Sequence, residues 1–439
     1  MSDESGDVER KVATEIKNVI EADAQNPVAV AVADDESPML KIYIDGFEEI
    51  LEYLSTTDIL SLRQTCKCLQ KVIDNYIKGK LPAIKVGYGK EILHKDCKLP
   101  SSCAKLIKQI TVCSSAVDIG SIGKIEDILG NVEKLIVSGT LELESRKTLL
   151  QCCTSLKYLS CPYIRGRMVG NENEWLLQTY PTLEHLEMVD MDHSDEMSMP
   201  ELKIFLELNP NVRRFSTFST LPLKLMLQSL LGSKVKLDQL DIAVNCLLTE
   251  MVDCLDLLNR LYDEGVYKRL HFYARFIYNT DEINQIASVS GLEKLYLAVV
   301  MTSPSLPHLP ELKEFCIMMD EDPDEAFSFE TVAKDLVNVE RVYLRLVDSD
   351  QLTQLIRHAP KVKEIKVEQL VEGTYFERLV IDLPALNNER KQLAGACKIT
   401  LYVDDFVFVT TKYALFQTDF SKIELKRADA VEWEHSIFY

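Results

Sequence analysis

A six-residue pattern, apolar-x-x-apolar-x-apolar, recurs thirteen times between Ile107 and Leu425. Successive copies lie 20 to 34 residues apart, as from Leu295 to Phe315 and from Ile365 to Ile399. A repeat at this period predicts a stack of small supersecondary units, each packing on its neighbours. Such an architecture favours a broad recognition surface over a catalytic pocket. The fourth residue of the pattern falls at Ile110, Leu135, Leu159, Leu186, Phe215, Leu240, Leu270, Leu295, Phe315, Val342, Ile365, Ile399 and Ile423.

Each copy of this hexad predicts a short β-strand with alternate residues facing inward. The stretches between hexads have apolar residues at helical spacing, as at Leu352, Leu355 and Ile356. The sequence therefore predicts one strand and one helix per repeat. Helices are expected at Lys147–Cys153, Trp175–Thr179, Leu202–Leu208, Thr249–Tyr262, Glu282–Ala287, Phe329–Leu336 and Gln351–His358.

This unit resembles the leucine-rich repeat. The resemblance is closest in Leu183-Glu-His-Leu-Glu-Met188, Leu237-Asp-Gln-Leu-Asp-Ile242 and Leu292-Glu-Lys-Leu-Tyr-Leu297. Asn245-Cys246 matches the Asn/Cys position of that family, whereas other repeats depart from it. The resemblance implies an α/β horseshoe with parallel strands on its concave side and helices on its convex side.

A second resemblance lies before the repeats. Ile50-Leu-Glu-Tyr-Leu54, Asp58-Ile-Leu-Ser-Leu-Arg63 and Thr65-Cys-Lys-Cys-Leu69 are similar to an F-box, with Ile42-Tyr43 at its usual Leu-Pro and Leu69 at its usual Trp. An F-box implies a small all-α domain that binds the Skp adaptor of SCF-type cullin–RING ubiquitin ligases. The alternatives are that these apolar residues form the core of the unit itself, or that the unit is a helical cap of the solenoid. The adaptor contacts implied are Ile42, Tyr43, Phe47, Ile50, Leu51, Leu54, Ile59 and Leu62.

Four segments are expected along the chain. Residues 1–39 are predicted to be an acidic disordered tail, 40–80 the F-box-like domain, 81–425 a solenoid of about twelve to thirteen degenerate repeats, and 426–439 a C-terminal tail. The tail carries Trp433, Phe438 and Tyr439. It is expected either to cap the last repeat or, as the resemblance to F-box repeat proteins implies, to fold back onto the concave face.

The target is expected on the concave face of the middle repeats. Basic residues and tyrosines there, in a chain of net charge −20, are what an acidic or phosphorylated segment would need. The alternative is a solvated strand face of mixed charge. The candidate target-binding residues are Tyr158, Arg213, Arg214, Lys268, Arg269, His271, Tyr296 and Tyr343.

Composition narrows the remaining function classes. The net charge argues against nucleic acid as a partner. No signal peptide, bilayer-length apolar run or Asn-x-Ser/Thr acceptor is present, and the 12 cysteines show no paired spacing. These features predict a cytoplasmic or nuclear protein with free thiols and no membrane partner.

No cofactor, metal or catalytic motif is recognisable in the sequence. His94, Cys97 and Cys103 fit no standard metal-site spacing, and nothing indicates a nucleophile elbow or a phosphate-binding loop. A GTPase activator would need a catalytic arginine that nothing marks. We therefore expect a non-catalytic substrate receptor of a ubiquitin ligase, and the alternative is a leucine-rich-repeat scaffold without ligase role.

Overall fold

One parallel sheet runs through most of the molecule. The computed structural model describes residues 51, 56–65, 67–80, 83–86, 107–112, 122, 126–137, 141–163, 174–190, 200–218, 223–244, 251–277, 280–299, 306–319, 329–371, 380–414 and 420–428. Fourteen strands follow one another across the sheet in sequence order, so each strand pairs with its predecessor and its successor. They are β1 Ala83–Val86, β2 Gln109–Val112, β3 Lys134–Val137, β4 Tyr158–Tyr163, β5 His185–Asp190, β6 Arg214–Phe218, β7 Leu237–Val244, β8 Tyr267–Ile277, β9 Leu292–Val299, β10 Glu314–Met319, β11 Arg341–Asp348, β12 Glu364–Val371, β13 Ile399–Val403 and β14 Ile423–Arg427.

Helices connect the strands and cover one face of the sheet. Parallel pairing requires a crossover connection between successive strands, and most of these connections contain a helix in the described part of the chain. In the described part of the chain no helix is long and apolar enough to span a bilayer. The helices are α1 Thr56–Arg63, α2 Lys67–Lys80, α3 Glu126–Leu129, α4 Leu143–Cys152, α5 Pro200–Leu208, α6 Leu223–Leu230, α7 Met251–Asp263, α8 Thr280–Ala287, α9 Phe329–Asp335, α10 Ser349–His358, α11 Leu383–Gln392 and α12 Asp405–Ala414, with a 3-10 helix at Glu174–Leu177.

The inward residues of the hexads form the core. Ile110 pairs with Leu135, and Leu135 pairs with Leu159, so the fourth residue of each hexad stacks on the next. Helical residues such as Leu227 and Leu355 belong to the same buried cluster, which extends from Ile107 to Leu425. The predicted α/β repeat solenoid is confirmed, because the sheet is open and parallel and each of the thirteen hexads overlaps one of the strands β2–β14.

In two places the strand pairing departs from the stacking of each hexad's fourth residue on that of the next hexad. Ile365 pairs with Leu401 rather than with Ile399, so the last two repeats are offset by two residues. An alternating strand pattern does not distinguish two frames that differ by two residues, because both bury the same face. Between β8 and β9 an irregularity also shifts the register, and Leu295 faces Phe272 instead of Leu270.

All seven predicted helical segments are helical, with different ends. The α10 helix begins at Ser349, two residues earlier than expected, because Asp348 and Gln351 form a capping box at its N-terminus. The segment predicted at Trp175–Thr179 is a single 3-10 turn at Glu174–Leu177. The spacing between two hexads does not specify how many helical turns form in the segment that connects their strands.

A buried arginine closes the end of α10. Arg390 is fully buried, and its guanidinium donates hydrogen bonds of 2.7 to 3.1 Å to the carbonyls of Cys397, Ile356, Ala359, Pro360 and Val362. The carbonyls at and just beyond the end of a helix lack intrahelical donors. A cation at the helix C-terminus supplies donors and a favourable charge, so Arg390 has a structural role.

A buried asparagine directly after α5 connects two neighbouring repeats. Asn209 is buried, accepts from the Tyr180 N–H at 2.5 Å and donates to the carbonyls of Gln178 and Phe205 at 3.0 and 2.8 Å. The sequence pointed instead to Asn245 and Cys246, which lie outside the described residues. These contacts place a polar link on the helical side of the repeat.

The chain divides into two compact units, Met1–Tyr76 and Ile77–Tyr439. Within the first, Arg63 forms a bidentate ion pair with Asp74, at 2.6 Å from Nε and 3.3 Å from Nη2. This pair joins the end of α1 to the middle of α2. The expected acidic tail lies outside the described residues, and so does the C-terminal tail from residue 429 onward, whereas Lys426 and Arg427 belong to β14.

Candidate partner-binding surface

Alternate residues of each strand point away from the helices and form the helix-free face of the sheet. It comprises the third and fifth residues of the hexads, such as Arg214 and Ser216 in β6 and Gln239 and Asp241 in β7. Neighbouring strands align them in rows, so that Ser216 pairs with Asp241 and Asp241 with His271. Six of the predicted target-binding residues lie on this face, namely Tyr158, Arg214, Arg269, His271, Tyr296 and Tyr343. The other two lie at the beginnings of their strands, Arg213 directly before β6 and Lys268 as the second residue of β8.

A buried carboxylate organises the middle of this face. Asp241 is fully buried and accepts from Arg214 Nε at 2.6 Å and from Ser216 Oγ at 2.5 Å. Its other oxygen accepts from Gln239 Nε2 at 2.8 Å and lies 3.0 Å from His271 Nδ1. The expected basic cluster is therefore partly neutralised, because Arg214 and His271 share this counter-ion.

The network shifts the pKa values of its members. Burial alone would raise the pKa of Asp241, but the hydrogen bond from His271 and the charge of Arg214 outweigh it and hold that pKa far below its ordinary value. Burial alone would lower the pKa of His271, but the contacts with Asp241 and Glu293 outweigh it and raise that pKa. The cluster is therefore most stable with Asp241 ionised and His271 protonated.

Tyr158 belongs to a second polar group, on β4 and β5. Its hydroxyl donates to Glu187 Oε2 at 2.6 Å, and its ring lies edge-on to His185 with centroids 4.6 Å apart. Lys134 Nζ lies 4.6 Å from the centre of the Tyr158 ring. The side chain is half-buried, and its hydroxyl already has a partner.

The other two candidate tyrosines are not exposed as the sequence suggested. Tyr296 and Tyr343 are 4% and 7% exposed and belong to a second apolar cluster, separate from the main core. Register explains this, because Tyr273, Tyr296, Cys316 and Tyr343 occupy one row on consecutive strands β8–β11. Strands about 4.8 Å apart bring such side chains into contact, so the row covers itself.

A row of alternating charges lies where the strands begin, and we call it the edge row. It consists of the second residue of eleven consecutive hexads, and its signs alternate without exception. Glu133 lies between Lys108 at 2.9 Å and Lys157 at 2.8 Å, and Lys268 lies 2.6 Å from Asp238. The edge row is Lys108, Glu133, Lys157, Glu184, Arg213, Asp238, Lys268, Glu293, Lys313, Glu340 and Lys363.

This alternation was not among the sequence-based expectations, although the sequence contains it. Arg213 and Lys268, two of the predicted target-binding residues, are members of the edge row and have Asp238 between them. The charge of Arg213 lowers the pKa of Asp238 after the larger effect of the Lys268 hydrogen bond. The second position of successive hexads is the signal in the sequence that reveals the row.

A cavity of about 300 Å³ lies on the helical side, lined by residues of α4 and the 3-10 helix. Its walls include Arg146, Leu150, Trp175 and Tyr180. Within the described residues no group of His, Cys, Asp and Glu is arranged to hold a metal ion. His94, Cys97 and Cys103 lie outside them.

The predicted adaptor contacts are only partly described. Ile42, Tyr43, Phe47, Ile50 and Leu54 lie outside the described residues. Leu51 and Ile59 are buried at 0% and 3% exposure, and Leu62 is half-buried. Of the three described candidates, Leu62 is therefore the one with surface to offer a partner.

Residues 43–81 match the family model of the F-box domain. The fold and this match define a class of protein: an open, parallel α/β repeat solenoid that carries an F-box domain at its N-terminal side. F-box domains generally bind the Skp adaptor and are non-catalytic. No curated protein matches the chain.

Proposed function

We propose that this protein is the substrate-recognition subunit of an SCF-type cullin–RING ubiquitin ligase. The F-box domain at residues 43–81 is the observation that carries the proposal. In this role the F-box binds the Skp adaptor, and the solenoid, which we assign to the leucine-rich-repeat class, binds the target protein. The ubiquitin-transfer chemistry belongs to partner enzymes, and this chain contributes proximity of the target.

The solenoid supports this division of labour. Its helix-free face presents ordered polar groups on a rigid sheet, as a recognition surface requires. Arg213, Lys268 and Arg269 are exposed, whereas Arg214 and His271 have Asp241 as a counter-ion. The exposed groups are therefore the better candidates for direct contact with a target.

We also place the protein in the cytosol or nucleus. No disulfide bond joins the described cysteines, which are Cys152, Cys153, Cys161, Cys254, Cys316 and Cys397. Burial raises the pKa of Cys161 to about 12, so this thiol is unreactive and behaves as a small apolar side chain. Free, buried thiols are compatible with a reducing compartment.

Adaptor binding tests the proposal directly. We expect the full chain to co-purify with the Skp adaptor, and Leu62→Arg to weaken binding at least tenfold by placing a charge on the apolar contact. Val72→Arg is the matched control, since Val72 is also half-buried but is not among the predicted contacts. Circular dichroism of both variants verifies folding.

A non-ligase scaffold is the competing function. The departures at Ile42-Tyr43 and Leu69 from the usual F-box residues motivate it. It predicts no adaptor binding by the wild-type chain, and unchanged target ubiquitination after deletion of residues 40–80. Either result would remove the ligase proposal.

A further inference from the structure

The last helix of the described stack, α12, has apolar residues on two of its sides. On the inner side Val407 is buried and Phe408 packs against the core. On the outer side Phe406, Val409 and Tyr413 are 58%, 36% and 89% exposed, and steps of three and four residues place them on one stripe of the helix. No other helix in the described part of the chain exposes more than two large apolar side chains. The stripe therefore distinguishes α12 from the other helices of the stack.

Elsewhere in the stack a helix is covered by its neighbours in the adjoining repeats. The α10 helix, for example, contacts both α9 and α11. The last repeat of a solenoid has no further repeat beside it, so a capping segment with a polar outer surface must shield it. The exposed stripe of α12 is the surface on which such a segment would pack.

After β14 the chain already lies beside the beginning of α12. Arg427, the last residue of β14, has its Nε 3.4 Å from Asp405 Oδ1, and its guanidinium lies 5.3 Å from the centre of the Phe408 ring. Ala428 then adopts a 3-10 helical conformation. A similarly short connection occurs one repeat earlier, where β13 ends at Val403 and α12 begins at Asp405. The chain therefore leaves β14 at the position from which the next helix of the stack would begin.

The sequence of residues 429–439 fits a helix on that stripe. At helical spacing Ala430, Trp433 and Ile437 share one face, by the same steps of three and four that relate the exposed residues of α12. The ends of both stripes are therefore about 10 Å apart along a helix axis. Asp429 lies in the first turn of such a helix, where negative charge is favourable, and Glu432 lies on its polar outer face, as a cap requires.

We propose that residues 429–439 form the capping helix of the solenoid, with Trp433 and Ile437 packed on the exposed stripe of α12. Phe406, Val409 and Tyr413 are its contacts. Covering the stripe shields the end of the apolar core from water and removes an aromatic surface through which two solenoids could associate. Of the two places expected for the C-terminal tail, the end of the last repeat is thus chosen over the helix-free face, because the chain leaves β14 beside α12.

The fluorescence of Trp433 tests this packing in the full-length chain. Trp175 is the other tryptophan, so Trp175→Phe leaves Trp433 as the single reporter. We expect blue-shifted emission and slow quenching by acrylamide. Adding Phe406→Ser with Tyr413→Ser should shift the emission to the red and accelerate quenching about threefold or more, because the packed state loses two large apolar contacts.

The matched control is Ile204→Ser with Leu208→Ser, which removes two exposed apolar residues from α5, at 41% and 40% exposure. This pair should leave the emission and the quenching of Trp433 unchanged. Deletion of residues 429–439 is a second test, since it should accelerate amide hydrogen exchange in α12 about tenfold or more and leave α5 unchanged. Circular dichroism of all variants verifies folding.

Fast quenching of Trp433 in the parent chain would overturn the cap. So would slow quenching that the α12 pair leaves unchanged or that both pairs change equally, because Trp433 would then be packed elsewhere, as on the helix-free face. Equal hydrogen exchange of α12 with and without residues 429–439 would have the same consequence. Protection of Trp433 that disappears on dilution, together with a dimer in sedimentation velocity, would assign the stripe to a second copy of the chain instead.

Discussion

Removing the charge of Asp241 is the sharpest perturbation of the helix-free face. Asp241→Asn is nearly isosteric, so packing is preserved while Arg214 and His271 lose their shared counter-ion. The variant amide also places a donor next to Arg214 Nε or His271 Nδ1, both of which are donors. Asp238→Asn is the matched control on the same strand, because Asp238 also accepts at 2.6 Å, from Lys268, but is 41% exposed.

The burial of each ion pair determines how much stability its substitution is expected to cost. Breaking a buried, hydrogen-bonded ion pair costs about 3–5 kcal/mol, and we expect about 3 for Asp241→Asn because Arg214 retains 20% exposure and His271 can release its proton. An exposed pair of similar length contributes about 0.5 kcal/mol after screening by solvent. The two substitutions should therefore differ by about 2.5 kcal/mol, although each removes one negative charge from β7.

Amide hydrogen exchange in β6–β8 measures the effect where it occurs, since a solenoid can open locally. At 1.4 kcal/mol per factor of ten, about 3 kcal/mol accelerates exchange roughly a hundredfold, and about 0.5 kcal/mol roughly twofold. A double variant with Arg214→Met should lose less than the sum of the two single changes. Similar acceleration by Asp241→Asn and Asp238→Asn would refute the reasoning that burial sets the strength of these pairs.

Other predictions concern the same stack of repeats. Protection of the β7 and β8 amides from hydrogen exchange should be greatest between about pH 4 and 6.5. The stability that Asp241 contributes is lost as pH falls below 3.8 through its lowered pKa. The stability that His271 contributes is lost as pH rises above 6.5 through its raised pKa. Hydrogen exchange against pH checks this, and His271→Gln should flatten the alkaline side. Arg390→Met should cost about 3–5 kcal/mol in urea unfolding by leaving buried carbonyls without donors, whereas replacing the exposed, ion-paired Arg357 should cause no measurable change; equal effects would contradict the capping role of Arg390. Gly291→Ala should cost about 3 kcal/mol, because Gly291 has φ +75 and the new Cβ would lie 2.7 Å from Tyr262 Cε2. Gly395→Ala, at φ +71 with nothing within 4 Å of the new Cβ, should cost about 1 kcal/mol. Melting curves that do not separate these two variants would count against the steric argument.

Sequence periodicity was sufficient for the repeat architecture. The hexads led to strands because their fourth and sixth residues alternate with polar ones and share one buried face, whereas the first residue of most hexads is buried at or before the start of the strand. Strand β1 was not anticipated, since it lies before the first hexad. The F-box resemblance also came from local sequence, and the family match at residues 43–81 supports it.

The binding surface was less accessible to sequence reasoning. Tyr296 and Tyr343 were expected to be exposed. The alternation of apolar and polar residues along a strand shows which face of the sheet a side chain takes, but it does not show whether that face is covered. Whether that face is covered depends on what the neighbouring strands bring beside it, here Tyr273 and Cys316. Arg214 was likewise predicted to be a basic target-binding residue, although Asp241, 27 positions later in the chain, is its counter-ion.

What the sequence determined is thus the order, the period and the inward face of the repeats, together with the alternating signs of the edge row. These are properties of spacing along the chain. Tertiary structure decided the pairing of Asp241 with Arg214 and His271, the burial of the tyrosine row, and the register shift between β8 and β9. Register between strands controls all three, and it depends on packing of the whole stack, which spacing within one repeat does not specify.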